Sequence, residues 1–189
     1  MVPAPATLQD GSPVLLRPIC PTDEPMMTRF HESLSDRSVY MRYFASLSLC
    51  MRTAHDRLSR ICHPDPDREI VLVAERLIPQ SKQTEIVGVG RLVRLKLANH
   101  AELAVVISDK SQREGLGTRL VQALIHQAQQ AKIDRIVAEM LRDNFGMQIV
   151  LKRAGFCVYG LSNPSSVKAY LDLTDSPNSA LCDANHIQS

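Results

Sequence analysis

Ser108-Asp109-Lys110-Ser111-Gln112-Arg113-Glu114-Gly115-Leu116-Gly117-Thr118 is the stretch on which the fold turns. Just before it, residues 101–107 (AELAVVI) read as a β-strand. After it, Leu116, Leu120, Leu124 and Ala128 recur every four residues, and Val121 and Ile125 widen the stripe, which predicts an amphipathic helix. Gly115 and Gly117 therefore fall where a strand gives way to a helix. Glycine has no Cβ to hold a ligand away from the backbone. The first N–H groups of a helix lack intrahelical partners and carry partial positive charge. Such a corner suits a phosphate or a diphosphate. The same glycines would equally serve a helix start that needs only tight packing, and spacing alone leaves both readings open. No G-x-x-x-x-G-K-[ST] occurs, so a P-loop is unsupported. Gly88-Val89-Gly90 begins a G-x-G-x-x-G, but its sixth position is Val93 and it lies inside a strand pattern.

Working outward, residues 84–97 form a long strand pattern, and residues 98–100 a short turn into 101–107, which predicts an antiparallel hairpin. Residues 70–74 form another β-prone run. On the C-terminal side, 133–140 is a strand, and Asn144 opens a helix carrying Met147, Val150, Leu151 and Ala154. Gly155 stands where a left-handed residue would stop that helix, and 156–159 and 167–173 complete the strands. Nearer the start, 14–18 is a strand, and Thr22 or Asp23 can cap a helix with Met26, Met27, Phe30 and Leu34 on one face. Ser35 starts a second helix, and 52–62 reads as a third. Helices and strands mix without strict βαβ alternation, so the expected class is α+β with a mixed sheet.

At 189 residues the chain is one domain's worth, and 44% hydrophobic with 22% charged residues can bury a full core. The longest apolar runs fall far short of the roughly 18 residues a membrane span needs, so no membrane partner is expected. A net charge of +2 is too balanced for a phosphate-tracking surface, and four Phe, four Tyr and no Trp make base-stacking platforms scarce. No nucleic-acid partner is expected either. The five cysteines are odd in number without C-x-x-C spacing, and no charged segment precedes an apolar one at the start. A reduced, cytoplasmic protein is the expectation. The six histidines lack metal-ligand spacing, so no metal is expected. Residues 1–12 and 175–189 read as flexible tails around a domain at 13–174.

Gln112-Arg113-Glu114-Gly115-Leu116-Gly117 resembles the Q/R-x-x-G-x-G/A motif of the GNAT superfamily of N-acetyltransferases, and Asn144 with Gly155-Phe156 resembles that family's Asn-led fourth helix. Residues 16–19 (LRPI), 38–44 (SVYMRYF) and 101–106 (AELAVV) further resemble the acetyltransferase domain of bacterial Pat-type protein lysine acetyltransferases. The resemblance implies a mixed, mostly antiparallel sheet whose central parallel strands, 101–107 and 133–140, splay apart, with helices on its flanks. It implies acetyl-CoA in that gap and no metal. Val105, Val106 and Ile107 would pair with the pantetheine amides. Gln112, Arg113, Glu114, Gly115, Leu116, Gly117 and Thr118 would form the diphosphate loop, with backbone N–H groups of 113–118 on the phosphates. Asn144 would touch the pantetheine arm, although it reads equally well as a plain N-cap.

Glu102 shares a face with Ala104 and Val106, and the Pat-type resemblance puts that family's proposed catalytic glutamate here. It is the candidate general base, acting with a pKa raised by partial burial; the alternative is a solvated hairpin glutamate. The Val106 N–H is the candidate oxyanion donor. Many relatives place a tyrosine seven residues after the asparagine, whereas this chain has Leu151. No cysteine has the electropositive setting of an acyl-enzyme nucleophile, so direct attack in a ternary complex is expected. The expected function is acetyl transfer from acetyl-CoA to a primary amine, first of all a protein lysine. A small-molecule amine acetyltransferase and a non-catalytic acyl-CoA sensor are the alternatives. A homodimer stays open.

Overall fold

The period-two strand pattern sorts side chains onto two faces, and each face acquires its own helices. The computed structural model describes residues 3–78, 82–96, 99–160 and 165–174. Strands β1 (Ala4–Thr7), β2 (Pro13–Pro18), β3 (Glu69–Ile78), β4 (Gln83–Arg94), β5 (His100–Ile107), β6 (Arg135–Leu141), β7 (Cys157–Gly160) and β8 (Ser166–Asp172) form one sheet. Its order is β1-β2-β3-β4-β5-β6-β8-β7. Every adjacent pair is antiparallel except β5 and β6. The helices are α1 (Glu24–Ser33), α2 (Asp36–Tyr43), α3 (Leu49–Arg52), α4 (His55–Cys62), α5 (Leu116–Gln130) and α6 (Phe145–Arg153). The fold is α+β, with a mixed sheet flanked by helices.

On one face, Leu72, Ala74, Leu92 and Leu103 pack against Leu116, Leu120 and Leu124 of α5. Gly88 and Gly90 explain how α5 comes so close. A Cβ on Gly90 would stand 2.7 Å from Leu124 Cδ1, and one on Gly88 3.0 Å from Leu120 Cδ1. Leu124 is fully buried and cannot swing away. Gly90→Val is expected to lower unfolding free energy by about 1–3 kcal/mol through overpacking. Urea denaturation checks this, and Leu124→Ala in the same chain should recover part of the loss. On the other face, Val71, Val73 and Val89 pack against Met27, Phe30 and Leu34 of the α1 segment, Val39 of α2 and Leu58 of α4.

Several expectations change. Residues 1–12 are not a free tail: Ala4–Thr7 pairs antiparallel with β2 and Leu8 is buried. Proline lacks the N–H of an interior strand but is tolerated at a sheet edge, so Pro5 masks a strand that pairs on one side only. Residues 175–189, expected as a second tail, lie outside the described residues. The helix expected over 52–62 is two, because Ser48 caps α3 and the chain turns extended at Ala54 before α4. Asp23 does not cap α1 with its side chain. Its carboxylate takes Arg17 at 2.7 and 2.8 Å and the Cys20 N–H at 2.8 Å, while Arg17 Nε reaches Glu75 at 2.6 Å. Cys20, Cys50 and Cys62 are free thiols.

Candidate active site

β5 and β6 run side by side for only three residue pairs, ending at Glu102 and Val137. Beyond that point β5 continues to Ile107 and β6 to Leu141, each still bonded to its outer neighbour. A wedge-shaped gap therefore opens along one edge of β5. The N–H of Leu95 donates to the His100 carbonyl and that of Ser108 to the Val87 carbonyl, which fixes the hydrogen-bonded pairs between β4 and β5. Antiparallel alternation then turns the peptide groups of Glu102, Ala104 and Val106 toward β4 and those of Leu103, Val105 and Ile107 toward the β6 side, where the Leu103 N–H belongs to the last ladder pair and the groups beyond it face the gap. This corrects two expectations. The Val106 N–H faces Val89 and is no oxyanion donor, and only Val105 and Ile107 of the expected trio offer peptide groups to the gap. Side-chain pattern alone does not reveal which in-plane edge a peptide group faces.

The loop after β5 fits an anion. Among the described residues, no N–H of residues 113–118 donates to the protein, and Arg119 is the first to close a turn, on Gly115. Arg113 and Gly115 both have positive φ, 66° and 83°. A Cβ on Gly117 would meet nothing nearer than Val150 Cγ2 at 3.6 Å, so close packing does not demand that glycine. Two long-range ties hold the loop. Asp109 accepts from the Ser35 N–H (2.9 Å), the Ser35 hydroxyl (2.7 Å) and the Ser38 hydroxyl (2.9 Å). Gln112 Nε2 donates to the Ile107 carbonyl and to Ser38 Oγ, each at 3.1 Å. Burial would raise the Asp109 carboxyl, but the Ser35 and Ser38 donors outweigh it and hold it below the usual range. Asn144 Oδ1 caps α6 through the Met147 N–H at 3.2 Å, leaving Nδ2 as its spare donor. Leu151, where a tyrosine would stand in many relatives, is fully buried.

Glu102, Ala104 and Val106 point their side chains the other way, into a cavity of about 730 Å3 between the sheet and α1, α2 and α4. Glu102 is exposed at this cavity rather than partly buried. Sequence reasoning missed the residues across from it: His31, Arg42, Tyr43, Arg57 and Arg91. Arg42 and Arg57 place their guanidinium carbons 4.8 and 4.6 Å from the centre of the Tyr43 ring. The resemblance had marked the segment holding Arg42 and Tyr43, but nothing in its spacing showed that Arg57, on another helix, would join them. No group of three His, Cys, Asp or Glu side chains that could hold a metal occurs among the described residues, and no helix there is long and apolar enough to cross a membrane.

The architecture recurs in known proteins. The Acetyltransferase Pat of Mycolicibacterium smegmatis is 27% identical over 156 residues, which make up 82% of this chain and 44% of that protein. The chain thus spans less than half of that relative's length. The GNAT domain of PAT from S. lividans is also 27% identical, with a TM-score of 0.80 over 90% of this chain and 97% of that domain. The yncA acetyltransferase of Salmonella typhimurium, solved with acetyl-CoA, shares the fold at 16% identity and a TM-score of 0.61, over 89% of this chain and 99% of that one. Residues 14–157 match the Acetyltransferase (GNAT) domain, and the chain belongs to that family.

Proposed function

We propose that this chain moves the acetyl group of acetyl-CoA to a primary amine, a protein lysine ahead of a free small amine, by direct attack in a ternary complex. The observation that carries the reading is the parting of β5 from β6 beyond Glu102, beside a loop whose amides at 113–118 are unused. Of the two readings of the glycine turn, unused amides support the diphosphate. Peptide groups of Val105 and Ile107 hold the pantetheine amides as an added strand would, and Asn144 Nδ2 is available to the arm.

The thioester, when bound, supplies an activated acetyl group. Attack on it needs a neutral amine. A lysine ammonium titrates near ~10.4, so deprotonation at pH 7 costs about 4–5 kcal/mol. Glu102 takes that proton, directly or through a water. The neutral amine nitrogen bonds to the carbonyl carbon, the C–S bond breaks with sulfur leaving as thiolate, and the nitrogen's remaining surplus proton passes to solvent or to that thiolate. A thiol pKa near ~8.5 makes that departure tolerable without an acid at Leu151. The gap-facing N–H of Val105 replaces Val106 as the candidate donor to the carbonyl oxygen. The exposed position of Glu102 supports an amine delivered on a protein's surface. The walled cavity gives the small-amine reading its own support.

Calorimetric titration with acetyl-CoA, followed by thiol release across lysine peptides and small amines, tests this. Release with lysine peptides is expected. Release with small amines alone overturns the lysine assignment, and binding without any release marks an acyl-CoA sensor.

A further inference from the structure

The cavity under Glu102 carries a charge arrangement that amine acetylation does not explain. Arg42 and Arg57 both lean on Tyr43, and neither has a carboxylate partner among the described residues. Their neighbours are otherwise engaged. Arg91 is held by Glu69 at 2.6 Å, Arg60 Nε donates to the Asp56 carbonyl, and the Asp65 carboxylate accepts the Asp67 N–H at 3.0 Å. Glu102, exposed at the wall, attracts Arg42 but makes no ion pair with it. His31 is buried with an unpartnered Nδ1, and Arg57 Nε is likewise buried and unpartnered. Burial, then the Arg57, Arg52 and Arg42 charges, push the His31 pKa down to about 4, so its ring is neutral and does not add to the repulsion.

Two guanidiniums 4.8 and 4.6 Å from the centre of one ring repel each other, and desolvating them is costly unless an anion completes the set. Carboxylate and phosphate both match a guanidinium fork, and a carboxylate is the smaller, singly charged anion of the two. We propose that Arg42 and Arg57 form a carboxylate subsite, so that the transfer site works on a ligand carrying a carboxylate beside its reacting group. This rests on reading the cavity as the acceptor side of the transfer site. The carboxylate can sit on the amine acceptor or at the far end of a dicarboxylic acyl-CoA, and the chemistry recognised is the same.

Thiol-release kinetics on two substrate pairs separate the sources: ε-aminocaproate against hexylamine with acetyl-CoA, and succinyl-CoA against acetyl-CoA with hexylamine. The wild-type chain is expected to favour the carboxylate-bearing member of one pair by about tenfold or more in kcat/KM, the worth of one charge-assisted bond. Arg42→Gln and Arg57→Gln should erase that ratio, and Arg42→Lys should keep part of it. Taking the ratio within each variant cancels partial misfolding. No preference in either pair, or a preference that survives both Gln substitutions, overturns the subsite. Should no amine release thiol, the transfer reading fails, and calorimetry with glutarate reads the subsite alone. Glutarate binding that Arg57→Gln abolishes supports it, and no binding to the wild-type chain sinks it.

Discussion

Glu102→Gln is expected to lower kcat by about 10²-fold or more, the range that a positioned general base supplies. Gln keeps the size and the hydrogen-bonding reach of Glu but cannot take a proton from an ammonium. The coenzyme's expected contacts lie elsewhere, on the gap-facing edge of β5 and on the loop at 113–118, so the acetyl-CoA dissociation constant should not move. The limb set by Glu102 should go, and the rate should climb instead toward the amine's own pKa near ~10.4. A variant that keeps the wild-type profile removes Glu102 from proton transfer, whatever its rate. Since Glu102 also attracts Arg42, a loss confined to KM would assign it to acceptor binding.

Arg17→Ala should destabilise the fold by about 3–5 kcal/mol, because it strands a buried carboxylate without its partner. Against a typical total of about 5–15 kcal/mol that is a large share. Arg17 joins β2, the turn at Asp23 and β3 through one guanidinium, and the Asp23 side chain is 1% exposed. The effect has a pH signature. Burial pushes the Asp23 carboxyl up, but the Arg17 guanidinium and the Cys20 N–H outweigh it and hold it below the usual range. A carboxyl lowered by folding stabilises the protein above its unfolded value of about 3.9, and that contribution fades as pH falls through the folded value. Without Arg17, burial goes largely unopposed and protonation relieves the variant as pH falls. The stability gap should be widest near neutrality and should narrow in acid. Urea midpoints for both proteins across pH check this, and a constant gap would show that the remaining partners satisfy Asp23.

Much of the frame is legible in one dimension because it rests on local rules. The stripe from Leu116 to Ala128 needs only helical geometry. Gly155 ends α6 with φ at 92°, where a left-handed residue was called for. Asn144 caps that helix as its side chain allows. The hairpin of β4 and β5 follows from two strand patterns and a short turn. Less legible were features set by a single partner. The edge strand Ala4–Thr7 was obscured by proline, and Asp23 looked like a cap because nothing nearby announces a salt bridge to Arg17. Asp109 meets Ser35 and Ser38 across more than seventy residues of chain, a contact that no spacing rule encodes.

By itself, then, the sequence determined the class of fold and the glycine corner, since both depend on neighbours a few positions apart. Tertiary structure alone decided where β5 leaves β6, which peptide groups face the gap, and that α2 and α4 bring two arginines onto one tyrosine. Those outcomes depend on strand register and on helix placement, and both are settled by packing across the whole domain.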